Sequence, residues 1–359
     1  MKTYLFLLPC YFILSGCKTD APEPNKSVNW TQLKSITSFF ESCINMAKDD
    51  NNLYIYSTNR YFTTLSHQLQ ISQTTTCGEY IENEKPPMNS LMHVNLMYSY
   101  LSLIPNKNDC DAISGYYVEL TKIDSNLESF PYFGRYKSSC IGLNEKNELL
   151  IPYRAKNDNK LHLLFMAINP SNQFSCLDTF YTRKITIESP TDTFGSKFSQ
   201  YAILSTSYVD GYFYVGVQFN NWAWATYRIS TDGSYQKIIN YSAAVVFKHQ
   251  NHLFAVCDKN IYVSSDNGLS WPLAYNFGLS MSFYYFFNVD GDLFASLSDQ
   301  LYQVFITPNS FTLQQLSNEG LDGLYITTVT TFNNFVVVGG INGIYFIDKV
   351  NFRKPKKVE

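Results

Sequence analysis

Val289-Asp290-Gly291-Asp292-Leu293-Phe294-Ala295 decides the fold. One apolar strand runs into Asp290-Gly291, a pair that tolerates the positive φ of a tight hairpin, and a second apolar strand leaves it. The figure recurs as Val209-Asp210-Gly211-Tyr212-Phe213-Tyr214-Val215, as His249-Gln250-Asn251-His252-Leu253-Phe254-Ala255, and as Phe332-Asn333-Asn334-Phe335-Val336-Val337-Val338. The turn pairs begin at 210, 250, 290 and 333, so the repeat measures 40, 40 and 43 residues. Ile261-Tyr262, Leu301-Tyr302 and Ile344-Tyr345 open a third strand in the same phase, and Tyr227 stands there one unit earlier. A fourth strand starts near Trp271 and near Phe311.

Four short antiparallel strands repeated every forty-odd residues predict an all-β chain, folded as a single β-propeller of four-stranded blades. Toward the N-terminus, Asp50-Asn51-Asn52-Leu53-Tyr54-Ile55 and Lys146-Asn147-Glu148-Leu149-Leu150-Ile151 fit well, and His93-Val94-Asn95-Leu96-Met97-Tyr98 fits less well. The turns then fall at 50, 93, 146, 210, 250, 290 and 333, which predicts seven blades with longer excursions in the second and third. Ser42-Cys43-Ile44 and Ser139-Cys140-Ile141 take the same first-strand place in blades one and three. The apolar spacing of Trp30 to Ile36 also suits a helix, but register favours a strand. Trp30 precedes Asp50 by 20 residues, as Trp271 precedes Asp290 by 19. Trp30 is therefore expected in a fourth strand that completes the last blade and closes the ring, which removes open sheet edges. The propeller is expected to span 29–359.

The chain opens Met1-Lys2-Thr3, followed by the uncharged run Tyr4 to Leu14. Such a run suits the apolar region of an export signal and is too short to span a bilayer. It ends in Leu14-Ser15-Gly16-Cys17, which resembles the lipobox of bacterial lipoproteins. The resemblance implies removal of residues 1–16 as a signal peptide, a thioether from Cys17 to diacylglycerol, and acylation of its new amino group. Several acyl chains anchor stably where one is marginal. Lys18, where the family's inner-membrane retention signal has Asp, favours the outer membrane of the bacterial envelope. Polar, proline-bearing Lys18 to Val28 reads as a tether within 17–28, reaching at most about 35 Å.

The formal charge of −3 becomes about −4 once Lys2 is removed, and no basic stripe of the kind nucleic acid requires is present. Six cysteines remain after Cys10 and Cys17: Cys43, Cys77, Cys110, Cys140, Cys176 and Cys257. An oxidising compartment permits disulfides, buried thiols are the alternative, and spacing selects no pairing. No metal or cofactor motif is found, and a monomer is expected. The five histidines are scattered, and His249-x-x-His252 straddles a hairpin turn.

Ser264-Ser265-Asp266-Asn267-Gly268-Leu269-Ser270-Trp271 matches the Asp-box pattern S/T-x-D-x-G-x-x-W, and Ser230-Thr231-Asp232-Gly233 is a shortened relative. The spacing has a physical basis: Asp caps backbone N–H groups, Gly supplies a positive φ, and Trp packs on the blade. The role expected of Ser264, Asp266, Gly268 and Trp271 is structural. The motif resembles those of bacterial sialidases, photosystem assembly factors and other secreted propellers. Sialidase resemblance implies three arginines, a Tyr nucleophile with a Glu partner, and an Asp acid. Tyr227-Arg228-Ile229-Ser230 is the nearest match to that family's first arginine motif, yet it lacks Pro and leads into a turn. Arg228 is expected to be an ordinary strand residue. The loop Phe219-Asn220-Asn221-Trp222-Ala223-Trp224 is the candidate ligand site. Asn221, Trp222 and Trp224 would suit stacking on a sugar ring, and the competing reading has both indoles filling space between blades. The function expected is binding or assembly with a protein or glycan partner, with a diverged carbohydrate-active enzyme as the alternative.

Overall fold

The computed structural model describes residues 29–33, 43–48, 50–57, 61–76, 101–104, 116–119, 127–128, 141–144, 146, 148–155, 160–168, 179–187, 201–219, 223–278, 280–281, 284–321, 323–341 and 343–356. Four hairpin meanders form the regular blades. Blade one is Cys43–Lys48, Leu53–Ser57, Tyr61–Leu65 and Ile71–Thr76. Blade four is Tyr201–Val209, Tyr212–Phe219, Trp224–Ser230 and Tyr235–Ile239. Blade five is Val245–His249, His252–Cys257, Asn260–Ser264 and Leu273–Asn276. Blade six is Tyr285–Val289, Asp292–Leu297, Gln300–Thr307 and Ser310–Gln315. The predicted turns are in place: Asp210, Gln250, Asp290 and Asn333 all adopt positive φ, between 48° and 52°.

Blade seven closes the ring as the register predicts. Tyr325–Phe332, Phe335–Ile341 and Gly343–Asp348 are joined by Thr31–Gln32, which pairs antiparallel with Gly343–Asp348 through Thr31↔Phe346 and Gln32↔Tyr345. Trp30 N donates to Glu319 O at 3.1 Å, and Leu33 N donates to Ile344 O at 2.8 Å. The Trp30 ring meets Phe352 edge-on at 6.0 Å, on the short C-terminal helix Lys349–Phe352.

The third sheet is less regular than expected. Its main strands are Glu148–Ala155, Leu161–Ile168 and Thr179–Ile187. The first-strand place is shared by two fragments, Leu127–Glu128 and Gly142–Leu143, each antiparallel to Glu148–Ala155. In the second-blade region the described strands Leu101–Ile104 and Tyr116–Glu119 pair in parallel, which a simple hairpin cannot produce. The predicted turn at His93 to Asn95, like Cys140, lies outside the described residues.

The core is distributed between blades. Strand residues alternate in direction, so a blade sandwiched by two neighbours must be apolar on both faces. His252–Cys257 shows this: Leu253, Ala255 and Cys257 pack toward blade four, while Phe254 and Val256 pack toward blade six. Separate clusters join blades three and four, four and five, five and six, and six and seven. A further cluster brings Phe332, Val337 and Ile344 of blade seven against Cys43, Met46, Leu53 and Ile55 of blade one, which makes the array circular. Each fully buried Val, Leu or Phe contributes about 1.5–3 kcal/mol.

Blade seven meets blade one tightly. A Cβ on Gly339 would sit 2.5 Å from Cys43 Sγ and 2.9 Å from Cys43 Cβ. Thr327 Oγ1 donates to Cys43 O at 2.6 Å across the same boundary. On the outer side of that boundary, Asn333 Nδ2 donates to His67 O at 3.0 Å, and the His67 ring stacks on Phe332.

Candidate functional site

Alternating hairpins give the ring two distinct ends. Turns between first and second strands, and between third and fourth, open at one end. Turns between second and third strands, and the connections between blades, open at the other.

The Ser264–Trp271 turn lies at the first end. Asp266 Oδ1 accepts from Ser264 Oγ (2.7 Å), Leu269 N (3.1 Å) and Ser270 N (2.9 Å), and Oδ2 accepts from Ser270 Oγ (2.5 Å). These donors, Ser270 foremost, hold the Asp266 carboxyl well below the ordinary carboxylate range. Gly268 N donates to Ser264 Oγ at 2.7 Å, and the Trp271 indole donates to Gly268 O at 3.1 Å. Gly268 has φ +83°, and a Cβ there would meet the Tyr214 hydroxyl of blade four at 2.5 Å. Trp271 is buried and meets the Tyr214 ring edge-on at 5.8 Å. The turn therefore clamps blade five onto blade four. The shortened copy behaves alike: Asp232 Oδ1 accepts from Ser234 N and Oγ, and Arg183 of blade three donates to Thr231 O at 2.7 Å.

The opposite end carries exposed aromatic side chains. Trp224 opens the third strand of blade four and is 38% exposed. Asn221 and Trp222 of the same loop lie outside the described residues. Thr226 Oγ1 donates to Tyr241 O at 2.7 Å, which brings exposed Tyr241 to that end of the blade. Tyr241 stands 6.1 Å from Tyr262 of blade five, whose phenol is pushed up to about 12 by burial, with Cys257 and Tyr241 adding to the shift. Tyr285 and Tyr325 begin the first strands of blades six and seven, and both are exposed. Of this group, the sequence motifs single out Trp224 alone. The 40-residue step from Tyr285 to Tyr325 is a signal that finds two more, since it repeats an aromatic residue at the strand start.

The boundary between blades four and five is also polar inside. Tyr214 Oη, Arg228 Nε and Ser242 Oγ are buried there without hydrogen-bond partners among the described residues. Arg228 lies in the third strand of blade four, opposite Tyr214. Burial pushes the Tyr214 phenol up, and the Arg228 cation, which lies within hydrogen-bonding reach of it, opposes that shift. The Arg228 guanidinium carbon is 3.5 Å from the Tyr212 ring centroid. Asp210 stands near the same hydroxyl, but its carboxylate is engaged by Lys248 at 2.8 Å. This gathering of Arg, Tyr and Asp is packed rather than open, and it lacks the pair of carboxylates that glycoside hydrolysis ordinarily uses. Among the described residues, no three His, Cys, Asp or Glu side chains gather as a metal site, and no helix is long and apolar enough to cross a membrane. Cys257 is a buried thiol pushed up to about 12 by desolvation, a value that suits packing rather than nucleophilic chemistry.

No protein-family model matches the sequence, and no curated protein does. Among solved structures the chain is similar to a luciferin-regenerating enzyme, with 8% identity and a TM-score of 0.43 over 90% of this chain and 96% of that one. It is similar to BamB from Moraxella catarrhalis, with 8% identity and a TM-score of 0.34 over 84% and 70%. It is also similar to PorZ of Porphyromonas gingivalis, a bacterial surface component of the type-IX secretion system, with 8% identity and a TM-score of 0.38 over 92% of this chain and 39% of PorZ. Likenesses this distant transfer no function.

Proposed function

We propose that this chain is a lipoprotein of the bacterial envelope, acylated on Cys17 and favouring the outer membrane, whose propeller binds a protein or glycan partner. The observation that carries the binding role is the aromatic end of the ring, where Trp224, Tyr241, Tyr285 and Tyr325 are all exposed. Such side chains offer large apolar area, little entropy to lose, and for Tyr a polar tip, which suits contact with protein or sugar. The anchor rests on Leu14-Ser15-Gly16-Cys17. The strand pairing supports an orientation. Thr31 pairs with Phe346, so Trp30 enters beside Ile347 and Asn29 beside Asp348, at the hairpin-turn end of blade seven. A tether arriving at that end would leave the aromatic end directed away from the lipid.

Two measurements test the reading. Cys17→Ser is expected to move the protein from the membrane to the soluble fraction with its far-UV circular dichroism unchanged. A variant that stays with the membrane removes the lipoprotein assignment. The acyl-free protein is expected to recover an envelope component that Trp224→Ala and Tyr325→Ala recover less well. Equal recovery by the variants places binding elsewhere on the ring.

A further inference from the structure

We propose that the outer edge of blade six, the strand Ser310–Gln315, takes an extended segment of a partner protein as a fifth strand. This surface lies on the rim of the ring, apart from the aromatic end.

An outer strand presents a row of N–H and C=O groups to solvent. Folded chains ordinarily spoil such a row with charge, with proline, or with a bulge that twists it away. The other described blades do so. Their outermost strand pair carries a register irregularity in blades one, three, four and five. Blades three and four add Arg183, Lys184 and Lys237 on the outer strand. In blade seven the outer strand is only Thr31–Gln32. Blade six has none of these devices. Its outer pair runs unbroken from Tyr302↔Gln315 to Thr307↔Ser310, and Ser310-Phe311-Thr312-Leu313-Gln314-Gln315 holds no charge and no proline.

The phase of the ladder decides which groups are open. Leu316 N donates inward to Leu301 O at 2.8 Å. By antiparallel alternation Ser310, Thr312 and Gln314 bond inward, and Phe311, Leu313 and Gln315 point their backbone groups out. The chain itself already uses one end of this row. Lys356 N donates to Gln315 O at 3.0 Å, Ser317 N donates to Lys354 O at 2.8 Å, and Leu316 bridges Pro355 antiparallel. The edge thus accepts a strand, and this short ladder fixes its direction. The groups of Leu313 and Phe311 continue the same row. Both side chains are half-buried toward blade five, where Phe311 meets Phe277 at 4.7 Å. On the other face Phe305, paired with Thr312, is 47% exposed. A guest with β-branched or aromatic residues at successive positions covers both faces. Lys354 and Lys356 are exposed where it enters, which favours an acidic residue at its first position. A second copy is a poorer occupant. Pairing this edge with itself brings two such lysine pairs together and sets the Pro308-Asn309 turn of one copy against Lys356 of the other.

The test uses the full acyl-free chain, Cys17→Ser, with the blocked peptide acetyl-Asp-Val-Tyr-Val-Thr-amide as the probe. The peptide is expected to slow amide exchange at Leu313 and Phe311 saturably, and to leave Thr312, already bonded inward, unchanged. The same peptide N-methylated at both valines lacks the donors that face the edge and is expected to slow neither. Leu313→Pro deletes one outward N–H, which an edge strand tolerates, and is expected to abolish the response at Phe311. Thr312→Lys adds a charge to the edge and is expected to weaken it. No saturable slowing, or equal slowing by the methylated peptide, overturns the site. So does protection of Leu313 without peptide that is lost when the chain is ended at Lys356, which makes the guest residues 357–359. Protection that grows with protein concentration makes the guest a second copy and overturns it too. The exchange pattern is read with the edge unsubstituted, so it decides the matter even if a variant fails to fold. Failure here leaves the aromatic end to its own recovery experiment.

Discussion

Gly339→Ala places one methyl group at the seam of the ring. The new Cβ would lie 2.5 Å from Cys43 Sγ, 2.9 Å from Cys43 Cβ and 3.1 Å from Thr328 Cγ2. None of these is the end of a long side chain that can swing aside. Cys43 begins the first strand of blade one, and Thr328 sits on the first strand of blade seven. Relief must come from parting the two blades, and overpacking of this kind costs about 1–3 kcal/mol. With a urea m-value of about 3 kcal/mol/M, the midpoint should fall by roughly 0.3–1 M. Cys43→Ala removes the nearest atom and alone should cost about 1–2 kcal/mol. The double variant should then be about 1 kcal/mol more stable than the sum of the two losses, because the second change relieves the first. Amide exchange gives the location: Leu33 N, bonded to Ile344 O at 2.8 Å, should exchange faster in Gly339→Ala, while the interior of blade five should not change. Strictly additive losses, or faster exchange spread evenly over all blades, would refute closure through this contact.

The two described indoles outside the N-terminal strand should separate sharply. Trp271→Ala removes a buried ring that bonds Gly268 O and braces Tyr214, so it should cost about 3–5 kcal/mol, while 38%-exposed Trp224→Ala should cost far less; urea unfolding checks both. Asp266 has a folded-state pKa depressed by hydrogen bonds from Ser270, Ser264 and Leu269, so its contribution is present above the unfolded value of about 3.9 and is lost as pH falls below it. Asp266→Ala should therefore flatten the acid limb of the stability profile, and Asp232, depressed in the same direction, should leave a residual slope. Tyr262, raised by burial, adds stability that is lost as pH climbs from about 10 toward about 12, and Tyr262→Phe should flatten that alkaline limb in pH-jump unfolding.

How much of this was legible in the chain follows from how local each signal is. A hairpin turn is specified by two residues, and Asp210-Gly211 and Asp290-Gly291 announce theirs without help from the rest of the fold. Closure by Thr31–Gln32 was also readable, because the 19–20-residue spacing of Trp to turn is a property of the repeat. The first strand of the third blade was legible only in part. The Ser139-Cys140-Ile141 signal leads into Gly142–Leu143, but the second fragment, Leu127–Glu128, is too short to carry a pattern, and only the waiting edge of Glu148–Ala155 makes a strand of it. The parallel pair Leu101–Ile104 and Tyr116–Glu119 has the same character, since parallel pairing leaves no turn signature. Arg228 was visible as an arginine with an unpromising motif around it. Its place opposite Tyr214 was invisible, because that depends on the register between two strands and not on any local motif.

The boundaries between blades are where this chain differs from a generic repeat. Within blades the alternation of apolar residues is nearly uniform and carries little information beyond packing. At the boundaries two kinds of close approach occur, and they point in opposite directions round the ring. Gly268 and Gly233 set a third-to-fourth-strand turn against the preceding blade, on Tyr214 and on Arg183. Gly339 and Gly216 admit the following blade, Cys43 in one case and the stretch at Ala243 and Ser242 in the other. The boundary between blades four and five has both devices, one toward each end. Gly216→Ala would drive its Cβ into Ala243 O and Ser242 Oγ, so it is expected to cost about 1–3 kcal/mol in urea unfolding, and an unchanged midpoint would mean that the stretch at Ala243 can move aside without loss.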